Sequence, residues 1–409
     1  MDVVTEYIND NWQNTVRFSP EDNGTLIGLP YPYIVPCARN RFQELYYWDT
    51  YFGCRGLALS GQYEMVLNNL RNFFYELEKF GFIPNGSRSY YLNRSQPPFL
   101  GALIKLVLEL FPEDKDLKKQ SYLMLKKEIL FWNSHRKDAQ SGLYHYGSDP
   151  TEEDILDFYK LAEIRRGIAP ADNEAGVRAI GLDTLAQAES GWDFTGRFEG
   201  KCPDCAAIDL NSLLFLSLNV LAELALFADE DGRIWLERAG ELKKAVHKYC
   251  RKENGIFTDY FFDNCKQAEI LSAASFYPLW TDLADRTEAL AVRNTVLAKL
   301  EYPAGIAATE KIDKEKIQQW EFPNGWPCLQ MIAMESLAKY GFTKDALRIA
   351  EKYVSTVRKN FEKTNNLWEK YNVIDGSTRV AAEYEMPAMM GWTAGTYLVA
   401  QKILSSVSE

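Results

Sequence analysis

Apolar residues recur at three- and four-residue steps along most of this chain, a period that belongs to helices packed on helices. After Gln62, the residues Val66, Leu70, Phe73, Phe74 and Leu77 fall on one helix face. Gly81 suits a left-handed stop there, with Lys79 in the last turn. Leu100 to Leu110 is apolar nearly all round, as a buried helix would be. Residues 115–135, 209–229, 232–252, 269–299, 328–340, 343–360 and 386–406 also read as helical, with 269–299 long enough for two helices. Strand-like alternation is scarce. No Gly/Ser linker, charge block or low-complexity run marks a boundary, and no repeat of about 34 or 40 residues supports a linear solenoid. The simplest reading is all-α: one domain over residues 1–409, its helix pairs closed into an (α/α) barrel. Inner helices of such a ring are apolar all round and outer ones amphipathic, and the loops at one end gather polar and aromatic residues into a pocket.

Composition narrows the function. Lys and Arg number 46 against 57 Asp and Glu, a net charge of −11, which disfavours nucleic acid or an anionic membrane as partner. No uninterrupted apolar run approaches a membrane span of about 18 residues. The opening MDVVTEYINDNWQ has neither the basic nor the apolar stretch of a secretory signal. The 7 cysteines are odd in number, and with no signal they predict free thiols and a cytoplasmic protein. Cys202-Pro-Asp-Cys205 lacks the second pair that a zinc ribbon needs and the βαβ setting of a redox motif. Only 3 histidines are present (His135, His145 and His247), so histidine-based metal sites and triads have few candidates. Aromatics reach 13%, and their flat faces with polar tips suit sugars.

Five loop segments join charged groups, aromatics and glycines. Arg41-Phe42-Gln43-Glu44-Leu45-Tyr46-Tyr47-Trp48-Asp49-Thr50-Tyr51 sets an Arg, a Glu and an Asp among aromatics. Arg is a rigid fork of donors and Asp accepts two hydroxyls at once, which suits vicinal diols; a helix start with one ion pair reads the same way. Pro84 to Phe99 carries Asn85, Arg94 and Gln96 and no carboxylate to neutralise its arginines. In Glu189-Ser190-Gly191-Trp192-Asp193-Phe194, the flanking aromatics would raise the Asp193 pKa toward that of a general acid. The competing reading has Asp193 cap a helix or pair with Arg197. Gln319-Trp320-Glu321-Phe322-Pro323-Asn324-Gly325-Trp326-Pro327 is a stiff aromatic loop that could wall a sugar site or plug a barrel end, and Leu367-Trp368-Glu369-Lys370-Tyr371-Asn372 offers Glu369 as a base, although an ordinary surface Glu-Lys pair would look the same. No phosphate loop, dinucleotide fingerprint, HExxH or GxSxG occurs, so the chemistry falls to carboxylates. Two of them flanking a glycosidic bond suffice for hydrolysis.

These segments resemble the trehalase family of glycoside hydrolases. Arg41 to Tyr51 is similar to its RFxExYxWDxY motif, and Gln319 to Trp326 to its QWDxPxGW motif with Glu at 321. PNGSRSYYLNRSQPPF, ESGWDF, Glu369-Lys370-Tyr371-Asn372 and Gly391-Trp392-Thr393 also follow the family's order. The resemblance implies an (α/α)6 barrel, a six-hairpin toroid, that hydrolyses an α-glucoside with inversion and without metal or cofactor. α,α-Trehalose is the first substrate it suggests, and a small sugar the only partner. It puts the general acid at Asp193 and the general base at Glu369, with carboxyls roughly 6.5–9.5 Å apart. Sugar contacts carry over to Arg41, Phe42, Tyr46, Trp48, Asp49, Asn85, Arg94, Gln96, Gln319, Trp320 and Glu383. The family's RPESY-type segment, whose Arg and Glu hold one glucose, is not recognisable; the region reads Lys160 to Glu174 and includes Arg165 and Arg166. The leaving-group pocket is therefore expected to be remodelled. The alternatives are another α-glycoside, glucosylglycerate for example, or sugar binding without catalysis.

Overall fold

The computed structural model describes residues 2–381 and 385–406. Fifteen α-helical segments are present among them: α1 Val3–Asn11, α2 Tyr47–Leu59, α3 Tyr63–Phe80, α4 Leu100–Leu110, α5 Lys115–His135, α6 Glu152–Arg166, α7 Glu174–Ser190, α8 Ile208–Leu224, α9 Arg233–Tyr249, α10 Tyr277–Trp280, α11 Arg286–Val292, α12 Ala298–Leu300, α13 Pro327–Lys339, α14 Thr343–Thr364 and α15 Gly391–Ser405. Six of them close a ring through contacts in the order α2, α4, α8, α10, α13, α15 and back to α2. The outer helices lie on this ring: α3 against α2 and α4, α5 against α4 and α8, α9 against α8, and α14 against α13 and α15. This is the (α/α)6 barrel, with one contiguous apolar core.

The reason lies in the residues. α8 is buried on nearly every side, as an inner helix must be, whereas α14 buries one stripe that includes Ile349, Tyr353 and Val357. Where α15 closes on α2 the backbones meet, because a Cβ on Gly395 would stand 1.9 Å from the Phe52 carbonyl oxygen. The left-handed stop after α3 is Gly81, at φ 81°.

Three readings change. Residues 386–390 are irregular, and α15 starts at Gly391, because Pro387 cannot sit inside a helix. The 269–299 region holds the short α10 and then α11, which runs through a π turn at Arg293–Leu297 into α12. Ile208–Ala228 is long and apolar enough to cross a membrane even though polar residues interrupt it; 67% of its apolar window is buried, as its place in the ring requires.

Candidate active site

The loops entering α2, α4, α8, α13 and α15 meet at one end of the barrel around a cavity of about 620 Å³. Phe42, Tyr46, Trp48, Asp49, Asn85, Arg94, Gln96, Asp193, Gln319, Trp320 and Glu369 all line it. Eleven of the thirteen residues expected at the site thus converge from five separate stretches of chain. Glu383 lies outside the described residues. Arg41 is exposed and lines a neighbouring hollow with Asn366, Trp368 and Ala388. Left-handed turns at Asn40 and Phe42 (φ 72° and 54°) account for this split, with the Phe42 ring lining the cavity and Arg41 the hollow beside it.

Tryptophans form the walls. Trp320 and Trp326 stack face to face with centroids 3.7 Å apart, and Trp48, Trp192 and Trp392 pack around Trp320 at 5.6, 5.3 and 6.4 Å. Trp326, Trp392 and Tyr91 also line the cavity; none is among the expected sugar contacts, although each sits inside a motif read from the sequence. Phe158 of α6 has no such signal, and its ring lies 4.9 Å from the Arg94 guanidinium, opposite Tyr91 at 5.0 Å.

Three carboxyl groups share this wall. Desolvation pushes Asp49, on the first turn of α2, up to about 8, and the charges of Glu369 and Asp193 add to the rise. Desolvation also raises Asp193, to about 6, with Glu369 assisting and the Arg94 and Arg165 cations pulling the other way. Gly191 and Phe194, at φ 71° and 58°, present Asp193 on a sharp turn, and a Cβ on Gly191 would stand 2.7 Å from the Trp48 ring. Glu369 is buried beside the Lys370 ammonium, which pairs with it and lies over the Trp326 ring at 4.4 Å.

The pairing of Asp193 with Arg197 does not form. Arg197 is fully buried and bridges Asp209 and Asp259 with four hydrogen bonds of 2.7–2.9 Å, anchoring the loop behind Asp193 to α8. Glu321, the departure from the family's Asp, accepts from the Gly196 amide at 2.5 Å and pairs with Lys314. It therefore ties the Asp193 loop to the Gln319–Trp326 loop. That second loop pairs in turn with the Glu369 loop, Asn324 opposite Asn372 and Gly325 opposite Tyr371. Glu189, held by Arg136, accepts the Ser95 amide at 3.0 Å and fixes the Arg94 loop.

The polar groups face the cavity with capacity to spare. Arg94 Nε and Gln319 Oε1 are buried and have no protein partner. Gln96 Oε1 accepts the Trp48 amide at 3.2 Å, and Asn85 Nδ2 donates to the Ala188 carbonyl at 3.1 Å, so both side chains are held in place. The Tyr46 hydroxyl donates to Glu44 and meets the Tyr91 hydroxyl at 2.6 Å. The arginine pair divides. Arg166 bonds the buried Asp183 at 3.1 Å, and Arg165 stands 5.7 Å from the Phe194 ring.

A trehalase family model matches residues 1–405. The chain is 32% identical to a periplasmic trehalase of Pseudomonas aeruginosa over 97% of its own length and 75% of that protein's. A periplasmic trehalase of Escherichia coli is 30% identical, covering 97% and 73%. Neutral trehalase Nth1 from Saccharomyces cerevisiae superposes with a TM-score of 0.80 at 28% identity, over 100% of this chain and 81% of that one. A mannosylglycerate hydrolase from Thermus thermophilus shares the fold (TM-score 0.69, 14% identity, 97% and 99% coverage). The periplasmic names of these sequence relatives overturn the expected cytoplasmic location. Free thiols say little about compartment here: six of the seven are buried as small apolar fillers, a role that no compartment forbids.

Proposed function

The chain belongs to the trehalase family of glycoside hydrolases, and we propose that Asp193 and Glu369 are its general acid and base in the hydrolysis of α,α-trehalose. The observation that carries this reading is a tryptophan-walled cavity holding Asp193, raised to about 6, together with Glu369. Asp193 gives its proton to the glycosidic oxygen as the bond to the anomeric carbon breaks. Glu369 takes a proton from water, whose oxygen bonds to that carbon from the opposite face. Asp49, protonated at neutral pH, donates a hydrogen bond to a sugar hydroxyl. Arg94 and Gln319 supply a donor and an acceptor that have no protein partners. Lys370 is the counter-charge beside the base.

Proton NMR of the first turnovers tests the mechanism. Attack with inversion yields one β-glucose and one α-glucose per trehalose before mutarotation, while two α-glucoses would overturn it. A panel of α-glucosides run beside trehalose tests the substrate, since the Lys160–Glu174 region departs from the family's pattern. Preferential cleavage of glucosylglycerate or another member would move the assignment to that glycoside.

The acid must be protonated to work. Its pKa lies above the ordinary aspartate value, so the proton it must give is present below about pH 6 and lost above it, which sets the alkaline limb of the profile. The expected profile of log(kcat/KM) falls with unit slope above an apparent pKa near 6. A profile flat to pH 9 would remove Asp193 from the role.

A further inference from the structure

The far end of the barrel carries a second hollow, of about 1190 Å³, opening onto another of about 820 Å³. The same inner helices build both ends: α2 places Asp49 at the catalytic cavity and Arg55 and Leu59 at this one, about 9–15 Å further along the axis. Trp280, half-buried, forms its floor beside the buried Tyr51, and Leu59 and Tyr63 are exposed at its rim (40% and 46%). Part of its charge is already neutralised. Arg55 forms a bidentate pair with Glu335, to which the Trp280 indole N–H also donates at 2.9 Å, and Lys339 bonds Asp282 at 2.6 Å. Lys105 on α4 and Lys402 on α15 stand on separate walls, and no carboxylate among the described residues pairs with either. Among the described residues, Glu109 is the one lining carboxylate without a cation of its own.

We infer that this hollow is a second ligand site, for a phosphate monoester of a hexose-sized polyol. Two ammonium groups on separate walls suit a dianion, since lysine binds phosphate as a mobile point charge. The half-buried Trp280 ring suits the C–H face of a sugar ring. The floor is continuous with the catalytic wall: Tyr51 stacks on Phe99 at 4.9 Å, and Phe99 meets Trp48 at 6.4 Å. A ligand seated here therefore presses on a side chain two contacts from the catalytic cavity.

Calorimetric titration with glucose 6-phosphate tests the site, with saturating glucose present to occupy the catalytic end. The expected result is saturable binding in the millimolar range or tighter, at least tenfold weaker in the Lys105→Glu/Lys402→Glu variant. Trehalose turnover of that variant without added phosphate ester is expected to match the parent, because both lysines are exposed and far from the acid and base. The absence of saturable binding to the parent, or equal binding to the variant, would overturn the site. Inorganic phosphate binding as tightly as the sugar phosphate would overturn the assigned ligand class. The readout is binding, so a failed trehalase assignment leaves this test intact.

Discussion

Asp193→Asn lowers kcat on trehalose by about 10³-fold, within the range expected for loss of a general acid, and leaves the fold intact. The amide keeps the size and shape of the carboxyl on its turn between Gly191 and Phe194 but has no acidic proton to give. The leaving group separates the two carboxylates. α-Glucosyl fluoride departs as fluoride without needing a proton, so the Asp193 variant should lose less than about tenfold on it. Glu369→Gln should lose about 10³-fold on both substrates, because water must be deprotonated in either case. The comparison is internal to each variant, so instability from leaving Lys370 beside a neutral amide cancels. Steady-state kinetics on the two substrates decides the assignment, and equal losses in the Asp193 variant would reverse it.

The parts of this molecule that are legible in sequence share a cause. Inner and outer helices carry their burial as a 3.6-residue period, so α3, α4, α5 and α13 can be read within a residue or so. α6 buries only Ile155 and Ala162 and has no stripe to read. The periodicity therefore passes over it, and with it Phe158, although this helix forms a wall beside Arg94. The loops that carry Asp49, Arg94, Asp193 and Gln319 stand out by their density of charge and aromatics, but the individual residues are legible only through the resemblance to the trehalase motifs. Sidedness is not legible. Nothing in the order Asn40-Arg41-Phe42 says that the ring lines the cavity and the guanidinium a neighbouring hollow; two left-handed residues decide it. Nor can the choice between Arg197 and a catalytic role for Asp193 be settled locally, because one partner that Arg197 takes, Asp259, lies 62 residues away.

The same burial that makes Asp49 useful makes it costly, and Asp49→Asn should expose that cost. Its folded pKa of about 8 stands above the ordinary aspartate value of 3.8. The group therefore contributes stability below about pH 4, and that contribution is lost as pH rises through 8. Asparagine keeps the donor and removes the ionisation. The variant is expected to be more stable than the parent at pH 7–8, on the order of 1–4 kcal/mol, and equal to it near pH 3.5. Trehalose turnover should fall in the same variant, because the carboxyl that faces the sugar also senses Asp193 and Glu369 through charge. Denaturant midpoints measured across pH 3.5–8 give the stability difference. A difference that shrinks as pH rises, or a variant less stable at pH 8, would mean that Asp49 is ionised in the native cavity. It would then act as an acceptor for the sugar hydroxyls, and the three carboxyl groups would together carry two negative charges, not one, as the bond breaks.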